Sequence, residues 1–138
     1  MPPRADQFTQ VAPRNPNGAE PVEIWKARKF IYAHSDEELS LTKVAKLVNI
    51  SPNHLSEKFK EVTGVNFVDY IARTRTEKAR ERLQNSNLRI SEIAFAVGFQ
   101  SLSQFNRVFK RLTRKSPTQF RRHISHQEMD GKILRKNA

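Results

Sequence analysis

The chain has 138 residues, no cysteine, and 25 Lys plus Arg against 14 Asp plus Glu, a formal net charge of +11. That length suits one compact domain or two very small ones, the missing cysteines exclude disulfides and Cys-ligated zinc, and no apolar run approaches the roughly 20 residues of a membrane-spanning helix. No secretory leader pattern opens the chain, so a soluble cytoplasmic protein is expected; a basic surface attracts polyanions, nucleic acid being the commonest, with an anionic membrane or an acidic protein as alternatives.

Residues 1–21 hold five of the seven prolines and little apolar content, which reads as a disordered leader or interdomain linker. From Val22 to about Ile124 the apolar spacing is helical and no segment sustains period-two alternation, so the expected fold is all-α. Seven helices are predicted. The first covers about 22–34, with Ile24, Ala27 and Ile31 on one face. The second covers about 41–48 after Ser40 as N-cap, and the third about 52–63, where Ser51 caps and Pro52 takes the first helical position. A long fourth helix, about 67–84, follows Asn66. The fifth covers about 90–97. The sixth, about 102–113, opens with Ser101 and Gln104 as a capping box, and the seventh, about 117–124, repeats that logic with Ser116 and Gln119. Residues 125–138 read as a polar tail.

The chain says nearly the same thing twice. Leu41, Val44, Ala45 and Val48 match Ile90, Ile93, Ala94 and Val97 at an offset of 49. Past the turn the offset becomes 50, and Leu55, Phe59, Lys60 and Thr63 match Phe105, Phe109, Lys110 and Thr113, with Tyr70 matching Phe120. Small Ala45 and Ala94 allow close helix approach. Asn49 and Gly98 tolerate the positive φ a tight turn demands, and Ile50 and Phe99 follow to plug the corner. Each copy is a helix-turn-helix in sequence form, and two matches with a helix between them are far more specific than one.

The second helix of such a motif enters the DNA major groove, so the outward faces of helices three and six are the candidate readers. In helix three these are Asn53, Ser56, Glu57 and Lys60; in helix six, Ser103, Gln104, Asn106, Arg107, Lys110 and Arg111. Arg suits guanine, Asn and Gln suit adenine, and Glu accepts from cytosine N4. The helix starts at Ser51 and Ser101 suit phosphate. Lys60 and Lys110 are further phosphate candidates. Arg73 and Arg75, with Lys78, Arg80 and Arg82 on helix four, are expected to reach phosphate or clamp the two halves, a solvated face being the bland alternative. A connecting helix of about 18 residues spans about 27 Å, against about 34 Å between successive major grooves on one face. Nothing suggests an enzyme or a cofactor: there is no Gly-rich phosphate loop and no HExxH, and His34, His54, His123 and His126 have no metal-ligand spacing on a common face.

The stretch Ile93-Ala94, Val97-Gly98-Phe99, Ser101, Phe105, Phe109-Lys110, Ser116-Pro117 and Phe120-Arg121 resembles the signature of the AraC/XylS family of bacterial transcription regulators. The first copy agrees through Leu41, Val44-Ala45, Ser51-Pro52, Leu55, Phe59-Lys60 and Thr63-Gly64, as does Arg75-Thr76-Glu77-Lys78-Ala79, so the resemblance covers about residues 22–124. It implies two homeodomain-like helix-turn-helix subdomains on one rigid helix, reading adjacent major grooves of promoter DNA, usually as an activator that touches RNA polymerase. By motif position the base readers fall on Asn53, Ser56, Glu57, Ser103, Gln104, Asn106 and Arg107. Where the family commonly ends the second reading helix with Gly, this chain has Arg114, a strained αL residue or an added phosphate contact. The family usually adds an N-terminal sensing or dimerisation domain. The leader resembles the end of its linker, a short stand-alone regulator being the other option. The competing reading is a basic helical module that docks an acidic protein. Such a surface shows exposed aromatics and Met rather than amides and guanidinium groups.

Overall fold

The structure, a computed structural model, describes residues 20–124; the expected leader, apart from its last two residues, and the expected polar tail lie outside them. Every element among the described residues is helical: α1 (Val22–His34), α2 (Leu41–Leu47), α3 (Pro52–Thr63), α4 (Phe67–Asn85), α5 (Ile90–Ala96), α6 (Leu102–Thr113) and α7 over 117–124. These are the seven predicted helices: the first six begin and end within a residue of expectation, and α7 begins at its expected residue. The chain divides into two units, one ending at Glu77 and one beginning at Lys78, and the break falls within α4.

The first unit packs Ile24, Ala27 and Ile31 of α1 against Val44 and Ala45 of α2, Leu55 and Phe59 of α3, and Phe67 and Ile71 from the start of α4. The second packs Ala79 and Leu83 from the end of α4 against Ile93, Ala94, Val97 and Phe99, with Phe105 and Phe109 of α6 and the half-buried Phe120 of α7. Aromatic rings anchor both. Phe59 meets Tyr70 edge-on at 5.0 Å, and Phe109 meets Phe120 at 5.5 Å in the same T-shaped arrangement.

Thus α4 serves both units, closing the first core with its opening turns and starting the second with its last. Each unit also joins its opening helix to its closing one through an arginine. Arg28 of α1 donates from Nε to the Tyr70 hydroxyl at 3.2 Å, and the Arg80 guanidinium sits 5.4 Å over the Phe120 ring. Arg28 also pairs with buried Glu20 through Nη1, 3.0 Å from Oε1. Burial alone lowers the Arg28 pKa, but the hydrogen bonds and charges of Tyr70 and Glu20 outweigh it and raise the value.

Candidate nucleic-acid interface

The turn that sets each reading helix is built identically in the two copies. At the end of α2, Asn49 N donates to Lys46 O at 3.3 Å and Ile50 N to Ala45 O at 3.1 Å; after α5, Gly98 N donates to Phe95 O at 3.2 Å and Phe99 N to Ala94 O at 3.0 Å. Asn49 and Gly98 hold positive φ of 60° and 109°, the left-handed residue that such a helix end requires. Ser51 Oγ then accepts from His54 N at 3.1 Å, and Ser101 Oγ from Gln104 N at 3.0 Å. At the far ends the copies match again. Thr63 Oγ1 lies 2.7 Å from Phe59 O and accepts from Val65 N; Thr113 Oγ1 lies 2.8 Å from Phe109 O and accepts from Lys115 N. Gly64 at φ 83° and Arg114 at φ 68° close the two helices.

That frame decides which side chains face outward. Leu55 and Phe59 in α3, and Phe105 and Phe109 in α6, are fully buried. Asn53, Glu57 and Lys60 are exposed and Ser56 is half-buried; Ser103, Asn106, Arg107 and Lys110 are exposed and Gln104 is half-buried. The predicted readers therefore lie on one outward strip of each helix. Gln104 is less available than its sequence position suggests. Its Oε1 accepts from the Gln100 backbone N–H at 3.3 Å, not from Ser101 N as a standard capping box has it. Reading adenine through two bonds needs both ends of the amide, so Gln104 must leave this contact to do so.

The two helix starts also differ as anion sites. Each serine cap occupies the third N–H of its helix, leaving the first two. Pro52 lacks that group, so α3 offers only Asn53 N–H, whereas α6 offers those of Leu102 and Ser103. Ser51 and Ser101 are both exposed at these starts.

Two of the residues expected at phosphate already have partners within the protein. Arg75 Nε donates to Ser35 O at 2.7 Å and its Nη2 to Glu37 O at 2.8 Å, bracing the loop before α2 inside the first unit. Burial lowers its pKa, with Asp36 opposing. Arg73 is committed to Asp69 one turn earlier, Nε to Oδ2 at 2.8 Å. A planar fork satisfied by two carbonyls forfeits those bonds if it turns to phosphate.

Sequence reasoning assigned no role to Arg121, which braces the second unit the same way. Its Nη1 donates to Leu88 O at 2.7 Å and its Nη2 to Ser86 O at 3.2 Å, in the loop before α5. The partners lie 33 and 35 positions away, and no local pattern signals such a contact. Among the described residues no group of three His, Cys, Asp or Glu is placed to hold a metal, and no helix is long and apolar enough to cross a membrane.

A family model described as a helix-turn-helix domain matches residues 44–123. An uncharacterized HTH-type transcriptional regulator of Staphylococcus aureus is 39% identical over 92 residues, which cover 67% of this chain and 12% of that protein. The matched part of the chain thus spans about an eighth of the length of that relative. Among solved structures, the C-terminal domain of AraT, a response regulator from Geobacillus stearothermophilus, superposes with a TM-score of 0.74 at 35% identity, covering 76% of this chain and 88% of that one. A transcriptional regulator of Chromobacterium violaceum, described among AraC-type DNA-binding domain-containing proteins, superposes at 0.70 with 26% identity, covering 74% and 91%.

Proposed function

The chain belongs to the AraC-type family of helix-turn-helix DNA-binding transcriptional regulators, and from that premise we propose that it binds specific promoter sequences and regulates transcription from them. The observation that carries the reading is the outward strip of α6. Ser103, Asn106 and Arg107 are exposed, on a helix whose apolar face is spent on the core through Phe105 and Phe109. These groups match base edges in donor and acceptor type and in reach. Asn53, Ser56 and Glu57 supply the corresponding strip on α3, and Gln104 joins α6 once released from Gln100. Lys60, Lys110 and Arg114 contact phosphate, as do the helix starts at Ser51 and Ser101. The 19-residue α4, about 28 Å long, suits readers set in adjacent major grooves. By family likeness, the proposed outcome is activation through RNA polymerase, with a sensing or dimerisation domain preceding this part.

A protein-docking module is the weaker reading. The exposed large apolar side chains among the described residues, Val22, Leu47, Val68, Leu88, Phe95 and Leu102, are spread over several elements instead of lining α6. Selection of duplexes from a random library, with affinity measured at two salt concentrations, tests the proposal. The expected result is a motif with two blocks about one helical turn apart. Salt-sensitive binding without any motif refutes it.

A further inference from the structure

The matched hydrogen bonds make residues 50 apart in the two reading helices positional equivalents, and at four such positions the charge is opposed or newly added. Glu57 stands where Arg107 stands, Glu61 where Arg111 does, Gly64 where Arg114 does and Val65 where Lys115 does. The reading helices as wholes follow suit: α3 has two lysines and two glutamates, whereas α6 has three basic residues and no acid. So do the units. Residues 20–77 hold nine basic and nine acidic side chains, while residues 78–124 hold eleven basic and two acidic, a net +9. Resting on the proposed function above, we propose that the two copies divide the work. Residues 110–115 anchor the protein electrostatically on any duplex, and α3, through Glu57 and Glu61, rejects mismatched sequences that the base readers of α6 alone would tolerate.

The physical basis is the difference between phosphate and base contacts. Non-specific affinity comes almost wholly from cations that displace counterions from phosphate, whereas a carboxylate near the backbone is repelled and is stabilised only by a base-edge donor such as cytosine N4–H. Glu57 is exposed, and Glu61 is exposed with Lys58 3.5 Å away, so neither carboxylate is hidden from an approaching duplex. A mismatched site leaves Glu57 facing phosphates and bases with nothing to donate, and α3 is disfavoured there. Lys110, Arg111, Arg114 and Lys115 crowd the C-terminal end of α6 and its following turn. Arg114 keeps a left-handed backbone that suits glycine, at the position where the first copy uses glycine. The first unit still has Lys43 and Lys46 exposed on α2, so its share of the phosphate contacts is small but not zero.

Exchanging each side chain for its repeat mate in the full chain tests the division, since Glu57, Glu61, Arg111 and Arg114 are exposed, Lys115 is half-buried, and the backbone at 114 already suits glycine. Affinity is measured for the selected operator and for a random duplex across salt concentrations. Glu57→Arg with Glu61→Arg is expected to tighten random-duplex binding at least ~10-fold, steepen the salt slope by ~1–2, and shrink the operator-to-random ratio. Arg111→Glu with Arg114→Gly and Lys115→Val is expected to weaken both duplexes by a common factor and flatten the slope by up to ~2.7, at ~0.9 per phosphate contact, leaving the ratio intact. If the wild type discriminates but neither exchange moves random-duplex affinity or slope, the division is wrong while sequence-specific binding stands. If the wild type prefers no sequence, the proposed function fails, and the discriminating role of α3 fails with it.

Discussion

In the first unit the helix-turn-helix is closed by a separate helix: α1 presents Ile24, Ala27 and Ile31, and Arg28 crosses to Tyr70. In the second, the same role falls to the last turns of α4, which present Ala79 and Leu83, with Arg80 over Phe120. One long helix is thus the last element of one copy and the first of the next. The two-helix reader is not self-sufficient. Seven-residue α2 and α5 bury too little surface to hold α3 and α6 alone, so each copy needs a helix on either side. Duplication kept what orients the reading helix: the left-handed turn, the serine cap, the threonine at its end and the aromatic pair beneath it. The outward charges, which the core does not constrain, diverged.

The largest test of this picture removes one central ring at a time. Phe59→Ala and Phe109→Ala should each cost about 3–5 kcal/mol, because both side chains are fully buried. The single tryptophan, Trp25, sits in α1 and reports on the first unit. In chemical denaturation Phe59→Ala should shift the Trp25 fluorescence transition strongly. Phe109→Ala should shift the helical circular dichroism signal while moving Trp25 less. Identical shifts in both signals for both variants would mean that the shared helix makes the molecule one cooperative unit.

Next come the two forks. Arg75→Ala and Arg121→Ala each remove two hydrogen bonds from a guanidinium to loop carbonyls, for about 2 kcal/mol apiece. Lysine should not rescue either, since a point charge cannot span two carbonyls at fixed spacing. If Arg75 instead contacted phosphate, Arg75→Ala would weaken DNA binding with no change in melting temperature.

Reader and anchor variants should differ in kind. Arg107→Ala is expected to cost about 1–3 kcal/mol on the operator and relax preference at one base pair. Lys110→Ala should weaken all duplexes alike and reduce the salt slope by about 0.9. Equal losses for Arg107→Ala on operator and random DNA would remove it from the readers. The smallest effect is Arg114→Gly: relieving the left-handed arginine should stabilise the fold by about 1 kcal/mol, raising the melting temperature while weakening DNA binding. Unchanged affinity at low salt would show that Arg114 touches no phosphate.

How legible all this was depended on the range of each interaction. Helix positions, the caps at Ser51, Ser101 and Ser116, and the positive φ at Asn49 and Gly98 follow from contacts within about five residues, and the sequence alone determined them. The repeat did the same for the apolar frame, and through it for which strip of α3 and α6 faces outward. Only the tertiary structure decided the employment of the polar side chains. Arg75 reaches carbonyls 38 and 40 positions away and Arg121 reaches 33 and 35, so two arginines that look alike in sequence to Arg107 became internal braces. Gln104, at a reader's position, turned back to Gln100 because a nearby unsatisfied N–H lies within its reach. A long polar side chain takes whichever partner folding brings close, and that is set by packing at a distance, whereas a cap or a turn is set by the residues beside it.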